Sequence, residues 1–91
     1  MKYSVYLIVS KSRKKTTSYV GYTSDINKRI ILHNSGKGAK FTRGRKWKVI
    51  YKEKLTSKNK AISREYYIKK NRTLRNKIKK QKNENFNSAT L

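Results

Sequence analysis

The sequence predicts an α+β fold in which a three-stranded sheet arises from the element order ββαβαα. Three observations support this prediction: alternating apolar residues near the start, two segments that combine helix-capping residues with helical apolar spacing, and a strand-like run between those segments. The 91 residues suffice for one domain with a modest core.

The first strand is predicted over residues 2–10, where β-branched and aromatic side chains alternate. Tyr6 and Ile8 lie on one face and the odd-numbered residues on the other. Because both faces are apolar, we expect this strand to be covered on two sides. A basic connection leads to a second strand over 17–22 (TSYVGY), and strands joined so closely usually pair antiparallel.

The first helix follows directly, since Ser24 and Asp25 supply N-cap side chains and Gly36 is well placed to end it. Residues 36–46 (GKGAKFTRGRK) then form a glycine-rich basic loop. A third strand is predicted over 47–55 (WKVIYKEKL).

Two more helices complete the predicted domain. Thr56 or Ser57 caps a helix over about 58–70, and Thr73 starts the last helix. The domain is expected to occupy residues 1–80, and the polar tail over 81–91 is expected to be disordered.

The chain's charge points to a polyanionic partner. Its 26 Lys and Arg residues face only four acids and give a formal charge of +22. Such an imbalance opposes compaction, and nucleic acid is the usual partner that relieves it. A lysine-rich, AT-biased genome is the alternative, although it does not explain the scarcity of acids.

Localisation follows from what the sequence lacks. The apolar stretches are only a few residues long, as in VYLIV at 5–9, and the start lacks a signal-peptide cleavage site. We expect a cytoplasmic protein that is associated with the nucleoid when bound. Cysteine is absent, so a metal would need oxygen ligands or the single His33.

Glu65 is the most informative acid. It lies four residues after Ala61 and three before Ile68, so it should face the core side of its helix. A carboxylate there must be paired, hydrogen-bonded or bound to a cation. A salt bridge with an arginine is one interpretation, and a Mg²⁺ ligand is the other.

Arg29 and His33 are four residues apart and project from one face of the first helix. Arginine can hold a phosphate bidentately, and histidine can orient or deprotonate a neighbour near neutral pH. His33 could instead interact with the dipole at the helix C-terminus.

Tyr6 and Tyr19 lie on adjacent predicted strands and could approach each other. Packing is the common role of strand tyrosines, but a phenol near a cation can also activate water. Gly21 leaves room for a phosphate or another backbone.

The loop over 36–46 lacks the Walker spacing, so a nucleotide-phosphate cradle is not indicated. Its cations and single aromatic residue suit a nucleic-acid backbone, although an ordinary exposed loop is the alternative. The candidate contacts are Lys37, Lys40, Phe41, Arg43, Arg45 and Lys46.

In this order the motifs resemble those of the GIY-YIG nuclease superfamily, particularly its small stand-alone bacterial-type members. SVYLI (4–8) and YVGYT (19–23) resemble the two signatures. NKRIILHNSGKGAKFTRGR (27–45) is similar to the helix with the catalytic arginine and its basic loop, and SREYYIKK (63–70) to the helix with the metal-binding glutamate.

The resemblance implies a three-stranded antiparallel sheet flanked by helices and one-metal hydrolysis of a phosphodiester. Tyr6 or Tyr19 would activate water with help from His33, Arg29 would bind the scissile phosphate, and Glu65 would hold Mg²⁺ or Mn²⁺.

Two features depart from the family pattern. Ser4-Val5-Tyr6 keeps only the tyrosine of the first signature. Many family nucleases carry an asparagine after the metal-binding glutamate, and both Asn71 and Asn76 are available.

The expected function is that of a DNA endonuclease, structure-selective and linked to repair or recombination. We expect the nucleic-acid partner to be DNA rather than RNA. The alternative is a basic module that binds nucleic acid without cutting it.

Overall fold

The structure is a computed structural model that describes residues 2–12 and 15–90, with side chains described as far as residue 81. It confirms the α+β class and the predicted element order. The elements are β1 (Tyr3–Lys11), β2 (Thr16–Thr23), α1 (Ile26–Asn34), a 3₁₀ turn (Lys40–Thr42), β3 (Lys48–Leu55), α2 (Lys58–Lys70) and α3 (Arg72–Thr90).

β1 is the centre of the sheet, whose strand order is β2-β1-β3, and it pairs antiparallel with both neighbours. In this register Tyr6 lies opposite Gly21 of β2 and Lys52 of β3. The central position explains why residues 5–9 are all buried. A strand covered on both faces and paired at both edges needs such a continuous apolar run.

The two faces of the sheet support separate clusters, as the sequence predicts. On one face, the side chains of β1 and β2 pack against α2 and α3; the buried members are Val5, Leu7, Val20, Ala61, Ile68 and Ile78. On the other face, Tyr6, Ile8 and Trp47 are buried, with Tyr19 and the apolar side of α1 packed against them. The candidate site lies at the edge strand β2, where α1 from this second face and α2 from the first face both contribute residues.

Helix ends follow the predicted capping chemistry with two refinements, at the starts of α1 and α3. Asp25, and not Ser24, caps α1, and Ser57 caps α2. Gly36 has a φ of 81°, a conformation that favours glycine, just beyond the end of α1. Thr73 does not start α3: Asn71 Oδ1 accepts the amide of Leu74, so the helix begins one residue earlier than predicted.

α3 is the longest helix, and its bounds include part of the predicted tail. Most of residues 81–91 lie outside the described side chains, so the boundary at residue 80 and the disorder beyond it stay predictions. Within the described part of the chain, no helix combines the length and the apolar character needed to span a membrane.

Candidate active site

The candidate active site is a cleft of about 370 Å³ beside the edge strand β2. Residues from β1, β2, α1 and α2 line it. Four of the residues that the sequence motifs singled out are among them: Tyr6, Tyr19, Arg29 and Glu65. The fold therefore brings them together, whereas their roles in a reaction stay predictions.

The two tyrosines are diagonal neighbours on one face of the sheet. Tyr6 lies opposite Gly21, and Tyr19 lies opposite Ile8. A Cβ at Gly21 would lie 2.4 Å from Tyr6 Oη, far inside van der Waals contact. The absence of a side chain at Gly21 therefore makes room for the phenol of Tyr6, whereas the approach of a phosphate to Gly21 stays a prediction.

A directed chain of hydrogen bonds runs from Tyr6 into the protein. Tyr6 Oη lies 2.8 Å from His33 Nε2, and His33 Nδ1 lies 2.9 Å from Thr42 Oγ1. The Thr42 hydroxyl donates its only proton to the Ala39 carbonyl at 2.9 Å, so it must accept from His33 Nδ1–H. Neutral His33 then carries its lone pair on Nε2, and Tyr6 donates to it.

The pKa shifts agree with this direction. His33 is fully buried, and its burial, together with the charge of Arg29, lowers its pKa, which favours the neutral ring. Burial also raises the pKa of Tyr6, an effect that Arg29 partly offsets. Tyr6 is therefore protonated at rest, and it can accept a proton only as its own passes to His33.

The alternative interaction of His33 with the helix dipole is not what the structure shows, because the side chains of Tyr6 and Thr42 bond to both of its ring nitrogens. A Cβ at Gly38 would lie 2.5 Å from His33 Nδ1, so the loop needs glycine at this close approach. Thr42 is held in turn by Trp47, whose indole donates to its carbonyl at 2.9 Å. Sequence reasoning missed Thr42, since a threonine in a basic loop carries no distinguishing signal.

Glu65 reaches the cleft from α2 with its side chain 15% exposed. Its partner is Lys69, whose Nζ lies 2.9 Å from Glu65 Oε1, and this contact raises the pKa of Lys69. The arginine partner considered for Glu65 is therefore wrong. Arg64 pairs instead with Glu53, at 2.5 Å.

The donor set limits which metal the cleft can hold. Within the described residues, no three His, Cys, Asp or Glu side chains form a metal-binding group. Glu65 is the acid that lines the cleft, with Arg29 and Lys69 beside it. One carboxylate fits a hard cation such as Mg²⁺, which keeps several waters and takes further oxygens from a substrate phosphate.

Neither candidate asparagine completes this site. Asn71 ends α2 and caps α3 through its side chain. Asn76 lies exposed on α3, and neither residue is among those that line the cleft.

The predicted nucleic-acid contacts divide into two groups. Arg43, Arg45 and Lys46 line a second cleft of about 600 Å³ together with residues 10–12 at the end of β1. Lys37, Lys40 and Phe41 are exposed. Phe41 stacks on Tyr19 with ring centroids 6.1 Å apart, so it adjoins the candidate active site.

The chain belongs to the GIY-YIG family: a model described as the GIY-YIG catalytic domain matches residues 2–85. The resemblance drawn from the four motifs is thereby confirmed. GIY-YIG nucleases act on nucleic acid, which agrees with the charge of +22.

Similar proteins carry the name UPF0213. One from Staphylococcus haemolyticus is 44% identical over 69 residues, 75% of this chain and 80% of that protein. One from Staphylococcus epidermidis is 50% identical over 52 residues, 56% of this chain, and the match spans 63% of that relative's length. The solution NMR structure of a UPF0213 protein from Bacillus halodurans has a TM-score of 0.50 and 36% identity, covering 89% of this chain and 85% of that one.

The buried His33 predicts an acid-sensitive fold. Because its pKa in the folded chain lies below the ordinary 6.5, the unfolded chain takes up the proton first as the pH falls. The free energy of unfolding should therefore be highest above pH 6.5 and decrease below it. Urea unfolding at pH 7.5, 6.5 and 5.5 measures this.

His33→Gln is the control for that measurement, since His33 is the only histidine in the sequence. The variant should be less stable at pH 7.5 and should lack the decrease between pH 6.5 and 5.5. Identical pH profiles for the two proteins would show that His33 is not the group responsible.

Proposed function

We propose that this protein is a divalent-metal-dependent endonuclease that hydrolyses phosphodiester bonds in DNA. The observation that carries the proposal is the convergence in one cleft of Tyr6, Arg29 and Glu65, with His33 bonded behind Tyr6. A proton acceptor, a phosphate ligand and a cation ligand are the groups that such a hydrolysis needs.

In the proposed reaction, Tyr6 Oη accepts a proton from the attacking water while its own proton moves to His33 Nε2. The water oxygen forms the new bond to phosphorus, and the bond from phosphorus to the leaving oxygen breaks. Thr42 keeps His33 in the required tautomer. Arg29 stabilises the charge that grows on the phosphate oxygens.

Glu65 is the proposed ligand for Mg²⁺ or Mn²⁺. A cation bound there would neutralise the charge that develops on the leaving oxygen. Lys69 pairs with the same carboxylate, so its ammonium group would have to turn away for a cation to bind. Its partly exposed side chain leaves it free to do so.

The proposed substrates are branched or flapped DNA of the kind that arises in repair and recombination. The basic residues around the clefts suit contacts to phosphates, which position a protein on DNA without reading its sequence. The chain's charge supports the same preference for backbone contacts.

The test is cleavage of end-labelled branched and flapped DNA with Mg²⁺ or Mn²⁺, and with chelator. We expect cuts that need the metal and that Arg29→Ala abolishes. Lys28→Ala is the matched control, because it removes the same charge from an exposed neighbouring position outside the cleft.

A non-catalytic nucleic-acid-binding module is the second candidate, and the pairing of Glu65 with Lys69 favours it, because this pairing already satisfies the carboxylate. Metal-independent binding without cleavage of any tested DNA or RNA structure would establish this candidate and overturn the nuclease.

A further inference from the structure

We propose that the surface between the two clefts binds an unpaired nucleic-acid strand, with Phe41 stacking against one of its bases. The proposal rests on the proposed nuclease function for the place of the scissile phosphate. It adds that the substrate is single-stranded where it faces the second cleft, which Arg43, Arg45 and Lys46 line.

Phe41 is a large apolar side chain that the loop holds outward. It is 54% exposed, although its neighbour Thr42 is fully buried and bonded to His33. Trp47, six residues after Phe41 and just beyond the loop, is also buried, and its backbone amide donates to Asn34 Oδ1 at 2.6 Å. The exposure of Phe41 is therefore set by two anchored neighbours.

The aromatic surface is continuous between the two clefts. Tyr19 lines the candidate active site, and Phe41 stacks on it with an angle of 23° between the ring planes. Arg45 Cζ lies 6.0 Å from the Phe41 centroid, and Arg45 lines the second cleft. Phe41 therefore adjoins both clefts. One contains Arg29, the proposed phosphate ligand, and the other contains the cations Arg43, Arg45 and Lys46.

The spacing of the clefts suits a short stretch of one strand. Tyr6 and Ser10 belong to the two clefts and lie four residues apart on β1, a separation of about 13 Å at about 3.3 Å per residue. A strand with about 3.4 Å of rise per nucleotide in duplex form, and more when extended, covers that distance with roughly two to four nucleotides.

Stacking on Phe41 selects for an unpaired strand. Cations bind the phosphates of duplex and single strands alike, whereas an aromatic ring needs the open face of a base. In a duplex that face is covered by the neighbouring base pairs. Exposed aromatics that alternate with basic residues are the usual platform for single strands.

The test measures binding in chelator, so that cleavage plays no part. Fluorescence anisotropy is recorded with labelled dT12, rU12 and a 12-base-pair DNA duplex. Phe41→Leu keeps an apolar contact for Tyr19 and Trp47 but removes the aromatic face, and Phe41→Trp keeps that face. Ile31→Ala is the control, because Ile31 is 68% exposed on α1 and lines neither cleft.

We expect Phe41→Leu to weaken single-strand binding by about 5- to 100-fold and to change duplex binding less than twofold. Phe41→Trp and Ile31→Ala should bind like the wild type. If Phe41→Leu weakens the binding of both rU12 and dT12, the proposal holds for RNA and DNA strands alike. If it weakens the binding of one of them, that strand type is the ligand. Equal effects on single strands and duplex, or no effect, would overturn it.

Failure of this proposal is distinguishable from failure of the nuclease. Single-strand binding through Phe41 without any metal-dependent cleavage leaves the binding proposal standing and refutes the enzyme. Metal-dependent cleavage without any effect of Phe41→Leu on single-strand binding supports the enzyme and refutes the binding proposal.

Discussion

Tyr6→Phe is expected to lower the cleavage rate of a DNA substrate by about 10²- to 10⁴-fold, the range typical of general-base catalysis. Tyr6 lines the cleft, and the substitution removes the oxygen that donates to His33 Nε2. Without it, the water has no acceptor connected to the buried imidazole. The ring itself stays, so the packing of the central strand is retained.

The measurement is the single-turnover cleavage rate at saturating protein, together with the free energy of unfolding. The free energy should fall by about 1 kcal/mol, because one hydrogen bond is lost. Tyr3→Phe is the matched control, since Tyr3 lies on β1 but packs in the opposite cluster. A Tyr6→Phe enzyme that cuts at the wild-type rate would exclude Tyr6 as the base.

Glu65→Gln is expected to reduce metal-dependent cleavage on the order of 10³-fold, since a catalytic cation supplies several kcal/mol of transition-state stabilisation. Glutamine has the shape of glutamate but no charge, so it holds a hard cation poorly. Substrate binding in chelator should stay equal or become tighter. The reason is that Lys69 loses its carboxylate partner and becomes available to a phosphate.

Cleavage rates across a Mn²⁺ titration and anisotropy in chelator separate the two effects. Glu53→Gln is the control, because it removes the same charge from an acid that pairs with Arg64 and does not line the cleft. Parallel losses of cleavage and binding in Glu65→Gln would indicate a structural role for Glu65 and count against metal binding.

The sequence predicts the fold well because its signals are local. Alternation in residues 2–10 indicates a strand with two apolar faces, and the caps at Asp25 and Ser57 act within one turn of their own helices. The start of α3 is less well predicted. Asn71 both ends α2 and caps α3, and a pattern of apolar spacing does not reveal such a double role.

The sequence indicated four of the residues that line the cleft, but it did not indicate the side-chain contacts that they make or the part of Thr42 behind them. Helical spacing places Glu65 on the inner side of α2, and the partner it finds there is Lys69. Sequence spacing does not indicate which of the 26 Lys and Arg residues pairs with Glu65, because that partner depends on which side chains lie at the cleft once the helix is packed.

The sequence by itself determined the element order, the basic surface and the family, because each depends on residue types at short spacings. Tertiary structure alone decided that His33 joins Tyr6 across 27 residues and that Thr42 sets its tautomer. It also decided that Gly21 makes room for a phenol. These contacts depend on strand register and loop anchoring, which bring together side chains that carry no mutual signal along the chain.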